Sequence, residues 1–213
     1  MLLLNVPYEE KEEAKALGAK WNPEYKKWSV FLGKDYYKFD KWIPKNSGNI
    51  ILCDYIYIIG GKHECFKCHK QTSVVGLGVE KLMYIMEDEN GKRKYKYTKD
   101  DIHICPFIEE LPKNICDFAA KNYSLKYGYS NIVKESYLAN HCQNCGVIQG
   151  NFYLFDEVDS PFFLYEASDA KKLEIYKVKL PYDIICNAEI SYSSSDYLIK
   201  EYGNIQELNL SAT

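Results

Sequence analysis

Two cysteine doublets constrain this chain more than any other feature. One is Cys65-Phe66-Lys67-Cys68. The other is Cys142-Gln143-Asn144-Cys145, preceded by His141 and followed by Gly146. A Cys-x-x-Cys turn presents two sulfurs on one side, and two such turns supply the four thiolates of a tetrahedral zinc site. Cys65, Cys68, Cys142 and Cys145 are therefore the expected ligands of a structural Zn2+. Four protein ligands leave no open coordination position, so the ion would hold a fold together and perform no reaction. A four-cysteine iron–sulfur cluster would use the same ligands. His63, His69 and His141 flank the doublets, and any of them could replace a cysteine or hydrogen-bond to one. The stretch between the doublets exceeds a minimal ribbon and reads as an insertion whose ends the metal pins together. Cys53 and Cys186 lie in apolar runs and read as buried small side chains. Cys105 lies two residues from His103, a sequence spacing that by itself says little about a nucleophile and its base.

The rest of the composition bounds function by exclusion. The 213 residues carry a net charge of −3, so any nucleic-acid binding needs a local basic face and not a global field. No apolar run is long enough to span a membrane. Met1-Leu2-Leu3-Leu4 meets Asn5 and Pro7 at once, which is not the pattern of a signal peptide. A cytoplasmic protein is expected, and there the eight cysteines read as metal ligands and buried thiols, not as disulfides. No phosphate-cradling loop, G-x-S-x-G or H-E-x-x-H is present, so no enzyme is expected. Aromatic residues reach 15%, with 20 tyrosines; they suit strand packing, a stacking surface for bases, or an interface for a partner protein.

Taken in order, residues 1–45 read as a small β-α-turn-β-α module. A strand over Leu3 to Val6 leads to Pro7, which suits a first helical turn. Glu9, Glu10, Glu12 and Glu13 favour a helix N-terminus, and Gly18 a stop. Trp21 to Glu24 reads as a turn, Lys27 to Phe31 as a strand, and Asp35 to Trp42 as a helix ended by Pro44. Lys45 to Asn49 reads as a polar linker into a β-rich zinc-binding domain over residues 50–206. There Gly60-Gly61 is expected to turn the chain into the first doublet. Thr72 to Val79 reads as a strand broken by Gly76 and Gly78. Glu87 to Gly91 reads as a hairpin tip. Lys92-Arg93-Lys94-Tyr95-Lys96-Tyr97 follows as the densest basic run, with Lys94 and Lys96 sharing one strand face and Tyr95 and Tyr97 the other. Asn114 to Tyr123 reads as a helix, Lys126 to Ser130 as a loop, Asn151 to Phe155 as a strand, Leu173 to Leu180 and Ile184 to Tyr192 as strands, and Tyr197 to Tyr202 as a closing helix. The fold class expected is α+β, a small module followed by a zinc-ribbon-like domain with a long insertion.

Leu4-Asn5-Val6-Pro7, then Lys11 through Ala14-Lys15-Ala16-Leu17-Gly18-Ala19-Lys20-Trp21-Asn22-Pro23, then Lys26-Lys27-Trp28, resembles a small bacterial domain of unknown function appended to plasmid-type DNA primases and other mobile-element proteins. A shorter core, Gly18-Ala19-Lys20-Trp21-Asn22 with Lys26 and Trp28, is similar to the HARP motif of annealing helicases, which handles DNA forks. Cys65-x-x-Cys68, Val74 to Val79 and Ala139-Asn140-His141-Cys142-x-x-Cys145-Gly146-x-x-x-Gly150-x-Phe152 resemble a bacterial zinc-binding protein family, which implies that module and zinc body belong together and brings no activity with it. Lysines interleaved with aromatic rings suit a nucleic-acid strand, cations for phosphates and rings for bases. Lys15, Lys20, Trp21, Lys26, Lys27 and Trp28 are therefore candidate contacts, with Lys92, Arg93, Lys94 and Lys96 as a second set. The function expected is that of an accessory protein of a bacterial mobile element or phage that binds single-stranded or forked DNA. The alternative is an adaptor that docks a partner protein through its tyrosine-rich surface.

Overall fold

The computed structural model describes all residues except 32, 45–47, 110, 132–133 and 211–213; most of the expected linker therefore lies outside the described residues. The architecture is mixed α+β. In chain order it comprises β1 (Leu2–Leu4), a 3-10 turn (Tyr8–Glu10), α1 (Lys11–Ala16), β2 (Lys20–Asn22), β3 (Lys27–Val30), a 3-10 helix (Gly33–Trp42), β4 (Ile50–Leu52), β5 (Tyr55–Glu64), β6 (Gln71–Glu87), β7 (Arg93–Cys105), β8 (Phe107–Ile108), α2 (Lys113–Tyr123), β9 (Leu125–Ser130), β10 (Glu135–Asn140), a π-helical turn (Phe152–Asp156), α3 (Ala167–Lys172), β11 (Glu174–Lys179), β12 (Ile184–Cys186), β13 (Ala188–Glu189), α4 (Tyr197–Tyr202) and β14 (Ile205–Leu208). Among the described residues no helix is long and apolar enough to cross a membrane.

The chain forms two compact units. The first comprises Met1–Tyr55, Lys81–Asp100 and Leu180–Ala188; the second comprises Ile56–Glu80, Asp101–Lys179 and Glu189–Thr213. The compact unit that holds residues 1–45 thus also takes in two later segments of the chain.

In the first unit, β1, β3 and β2 form an antiparallel sheet with β3 in the middle, and Trp21 lies directly opposite Trp28. The turn expected at Trp21 to Glu24 begins two residues later than the sequence suggests, because Trp21 and Asn22 belong to β2. Asn22 closes it by accepting the backbone N–H groups of Glu24 and Tyr25 at 3.0 and 3.2 Å, the side-chain turn that Asn and Asp favour. α1 stops where Gly18 takes a φ of +104°, a left-handed conformation that costs glycine little. Leu2, Leu4, Ala14, Ala19, Val30, Tyr36, Phe39, Trp42 and Ile43 form the core with Ile51, Cys53 and Met83, and Trp28, Tyr95 and Tyr97 pack against it.

That packing explains why a basic run lies in this unit. Tyr95 and Tyr97 are half-buried on one face of β7, whereas Lys94 and Lys96 are exposed on the other. The preceding hairpin tip is tied by Asp88, whose carboxylate accepts the N–H groups of Asn90 and Lys92, and Gly91 there has a φ of +72°.

The second unit is built on β5 and β6, antiparallel from Tyr57↔Gly78 to Glu64↔Gln71, with β11 and β14 parallel to each other. Here the glycines act differently from their sequence reading. Gly60 and Gly61 do not turn the chain; they continue β5. A Cβ on Gly60 would lie 2.5 Å from the Tyr123 hydroxyl, so the bare backbone is the space that ring fills. Gly76 and Gly78 likewise do not break β6, which runs without interruption to Glu87. Cβ atoms there would meet Ile104 and Phe155 at 3.2 Å and Ile59 at 2.8 Å. Glycine in a strand can mark such close approach as well as a bend.

Two other assignments change. Lys126 to Ser130 is not a loop but β9, paired antiparallel with β10; Gly128 lets the His141 ring lie over it, 2.5 Å from where a Cβ would stand. Residues 151–155 are not a strand. They wind into a π-helical turn that buries Leu154 and Phe155 while leaving Phe152 and Tyr153 exposed. Strand alternation would have placed Phe152 and Leu154 on one face; consecutive inward residues require helical winding. The closing helix appears as α4 and is followed by a strand, β14.

Candidate functional site

Each cysteine doublet sits on a tight turn, and the two turns have the same hydrogen-bond pattern. The Cys65 N–H donates to the Lys70 carbonyl at 3.0 Å, and His69 N–H donates back to the Cys65 carbonyl at 2.8 Å. The Cys142 N–H donates to the Val147 carbonyl at 2.9 Å, and Gly146 N–H to the Cys142 carbonyl at 2.9 Å. In both, the residue after the second cysteine adopts a positive φ, +56° for His69 and +74° for Gly146. That conformation is cheap for glycine and more accessible to histidine than to most residues. His69 therefore serves the turn; its ring is exposed beside Glu64, 3.5 Å away. His141 is buried, with Nδ1 2.9 Å from the Ala139 carbonyl.

The four Sγ atoms of Cys65, Cys68, Cys142 and Cys145 lie within 4.8 Å of one another, and among the described residues no histidine joins them. The Cys65–Cys145 and Cys68–Cys142 separations are both 3.7 Å. A tetrahedral ion with metal–sulfur bonds of about 2.3 Å sets sulfurs about 3.8 Å apart. The cluster thus has the size for one ion. A multi-iron cluster would hold its thiolates further apart, at its corners, and a disulfide would bring sulfurs to about 2 Å. All four cysteines are free thiols.

The site also favours thiolate. Burial raises the energy of a charged Cys142, but the backbone N–H groups of Cys145 and Asn144 point at its sulfur and bring it down to about 6. Burial likewise opposes ionisation at Cys65, and the N–H groups of Cys68 and Lys67 outweigh it, so that thiol also falls below the ordinary cysteine value. With four sulfurs converging, not all can ionise unaided: Cys68 is pushed up to about 11, with the N–H of Lys70 lowering it and burial and the neighbouring cysteines raising it. A divalent cation removes that conflict.

Polar side chains that the doublet spacing does not reveal hold the two turns together. Asn140, 3% exposed, pairs with the Val75 backbone in both directions at 2.8 Å, as a strand neighbour of β6 would. The Gln143 N–H donates to Thr72 Oγ1 at 2.9 Å, and Asn144 Nδ2 to the Gln71 carbonyl at 3.0 Å. Buried Gln149 donates to the Val147 carbonyl at 3.0 Å and approaches Cys65 Sγ at 3.5 Å. The His103 ring stands 2.6 Å from the Asp196 carboxylate, and the Cys105 sulfur lies near the His103 backbone carbonyl.

The basic and aromatic candidates lie in the first unit. Trp21, on edge strand β2, is 54% exposed and meets Trp28 edge-to-face at 6.1 Å. Trp28 is itself half-buried against the core. Strand alternation puts Lys20 and Lys27 on the face opposite Trp21 and Trp28. Lys15, Lys20, Lys26 and Lys27 are all exposed, and Lys27 Nζ donates to Asn5 Oδ1 at 2.9 Å. Lys92, Lys94 and Lys96 are exposed, with Lys94 3.5 Å from Asp88. Arg93 does not join them. Its side chain is 7% exposed, ion-paired to Asp40 at 2.7 Å, and its guanidinium donates to the carbonyls of Asp40, Ile43 and Pro44. It caps the end of the 3-10 helix, satisfying carbonyls that the helix leaves open.

Residues 1–44 match the family model described as Domain of unknown function (DUF5710). Two Escherichia coli proteins named DNA primase TraC are each 51% identical to this chain over 39 residues, 18% of this chain and 3% and 4% of theirs. The chain thus spans a few per cent of the length of these curated relatives, and the four cysteines lie outside the matched family model. No solved structure matches the chain significantly.

The fold accounts for several residues of the motif that lies in this range. Ala14 and Ala19 are core, Gly18 ends a helix, Asn22 closes a turn and Trp28 packs inward. Lys15, Leu17, Lys20, Trp21, Lys26 and Lys27 are among the motif residues left exposed.

Proposed function

We propose that this protein is a nucleic-acid-binding accessory factor of a bacterial mobile element or phage, acting in the cytoplasm on single-stranded or forked DNA and carrying one structural zinc ion. The observation that carries this reading is Trp21, an indole more than half exposed on an edge strand, with Lys20 and Lys27 on the other face of the same two-strand edge. An unpaired base stacks on the exposed indole while the lysines meet the flanking phosphates. The likeness of this module to part of a DNA primase supports the same class of ligand. Cys65, Cys68, Cys142 and Cys145 would hold the zinc; with four thiolates bound it contributes folding free energy and orders the second unit.

The test is a salt series with a labelled single-stranded oligonucleotide. Contacts from two to four lysines give a log–log slope of about −1.4 to −2.8. Trp21→Ala removes one stacking partner, worth about 1–3 kcal/mol, while the fold loses only its edge contact with Trp28, about 0.5–1.5 kcal/mol. No binding by the wild type at about 50 mM salt, or binding without a salt slope, refutes the reading.

A second reading, docking of a partner protein, draws on Tyr127 and Tyr129, which are 70% and 57% exposed on one face of β9. Affinity capture of a stoichiometric protein that resists nuclease and is lost in Tyr127→Ser would favour it.

A further inference from the structure

Between the cysteines of the first doublet lies Phe66, 54% exposed. Phe66 is the first of three contiguous rings. It stacks near-parallel with Tyr153, centroids 6.3 Å apart and planes at 27°, and Tyr153 meets Phe152 edge-on at 5.6 Å. Tyr153 is 46% and Phe152 59% exposed. A contiguous exposed aromatic patch on a folded surface marks an interaction site. It is also rigid from below: the cysteine turn anchors Phe66, and buried Leu154 and Phe155 anchor the turn that carries Phe152 and Tyr153.

The charges beside the rings indicate what lies on them. Lys67 and Lys70, in and just after the same cysteine turn, are exposed and make no ion pair among the described residues. Glu64 faces His69, and Asp156 and Glu157, exposed, follow Phe155 in the chain. Flat exposed rings, one of them carried by a turn that also carries exposed lysines, suit unpaired bases whose phosphates the lysines meet.

We propose that Phe66, Tyr153 and Phe152 form a second stacking platform for single-stranded nucleic acid, beside the cysteine cluster, with Lys67 and Lys70 as its phosphate contacts. This rests on the nucleic-acid reading above and extends it to a surface outside the primase-like module.

The experiment uses the full zinc-loaded chain and an oligothymidylate in which 5-iodouracil replaces selected thymines. Photocrosslinked peptides are mapped by mass spectrometry, and affinity is measured by fluorescence anisotropy. Crosslinks are expected at Phe66 or Tyr153 as well as at Trp21. Phe66→Ala combined with Phe152→Ala should weaken binding about 5-fold or more with zinc content and melting unchanged. Lys67→Ala with Lys70→Ala should flatten the salt slope by about 1.4; this second pair keeps the test decisive if the aromatic variant misfolds. Crosslinks confined to residues 1–44, with both paired variants binding as wild type, overturn the platform and leave the Trp21 reading standing. Absence of binding by the wild type overturns both.

Discussion

Replacing Arg93 should unfold the first unit long before it affects any ligand. The guanidinium makes one ion pair and donates to three backbone carbonyls, from a side chain only 7% exposed. A hydrogen bond from a charged donor contributes about 1.5–3 kcal/mol when buried. Two features reduce the sum. Asp40 is 39% exposed, so water replaces part of its lost partner, and the Tyr95 hydroxyl continues to donate to Asp40 Oδ1 at 2.6 Å. Arg93→Ala should therefore cost about 3–4 kcal/mol. For a unit of this size that moves its thermal midpoint down by roughly 12 °C or more. Arg93→Lys should cost about 2 kcal/mol, because an ammonium keeps the charge but cannot reach three carbonyls at once. Asp40→Ala should cost less than Arg93→Ala, since the guanidinium keeps its carbonyl acceptors. Scanning calorimetry and urea melts of the three variants measure this ordering. If Arg93→Ala melts within about 2 °C of wild type yet loses oligonucleotide affinity, Arg93 is a contact residue and the capping argument is wrong.

Purified protein should contain one zinc per chain, and Cys142→Ser should lower the melting temperature of the second unit by roughly 10 °C or more, as a strong chelator should in the wild type, because metal binding supplies folding free energy. Elemental analysis without zinc, or an unchanged melt in the variant, would falsify the structural role. Gly60→Ala should destabilise by about 1–3 kcal/mol: its methyl group would press on the Tyr123 ring, which is buried and hydrogen-bonded to Glu174 at 3.1 Å. Relief of that cost in the Gly60→Ala, Tyr123→Leu double variant would identify the clash, and a neutral Gly60→Ala in denaturant melts would refute it.

The four-cysteine cluster was legible in the sequence because its geometry is local. A Cys-x-x-Cys turn fixes two sulfurs by itself, and one bound ion would fix how the two turns meet. The helix stop at Gly18 and the Asn22 turn are equally local, since the residue that makes the backbone conformation is the residue that adopts it. So is the alternation of Lys94 and Lys96 with Tyr95 and Tyr97, which follows from the period of a strand.

Tertiary packing decided the rest. A glycine in a sequence signals either a bend or a place where something else needs the room. Only the neighbours at Gly60, Gly76 and Gly78, namely Tyr123, Phe155, Ile59 and Ile104, show that here it is the second. A short apolar run such as Phe152 to Phe155 fits strand or helix until the core shows which two residues it takes. The choice made puts Phe152 and Tyr153 outside, beside Phe66. Arg93 belongs by composition to a basic run, but three carbonyls at the end of a helix from another part of the chain draw it into the fold. Residue spacing determined the thiolate cluster and the turns. Which exposed rings and cations remain available to a ligand depended on contacts between residues far apart in sequence, which no local pattern encodes.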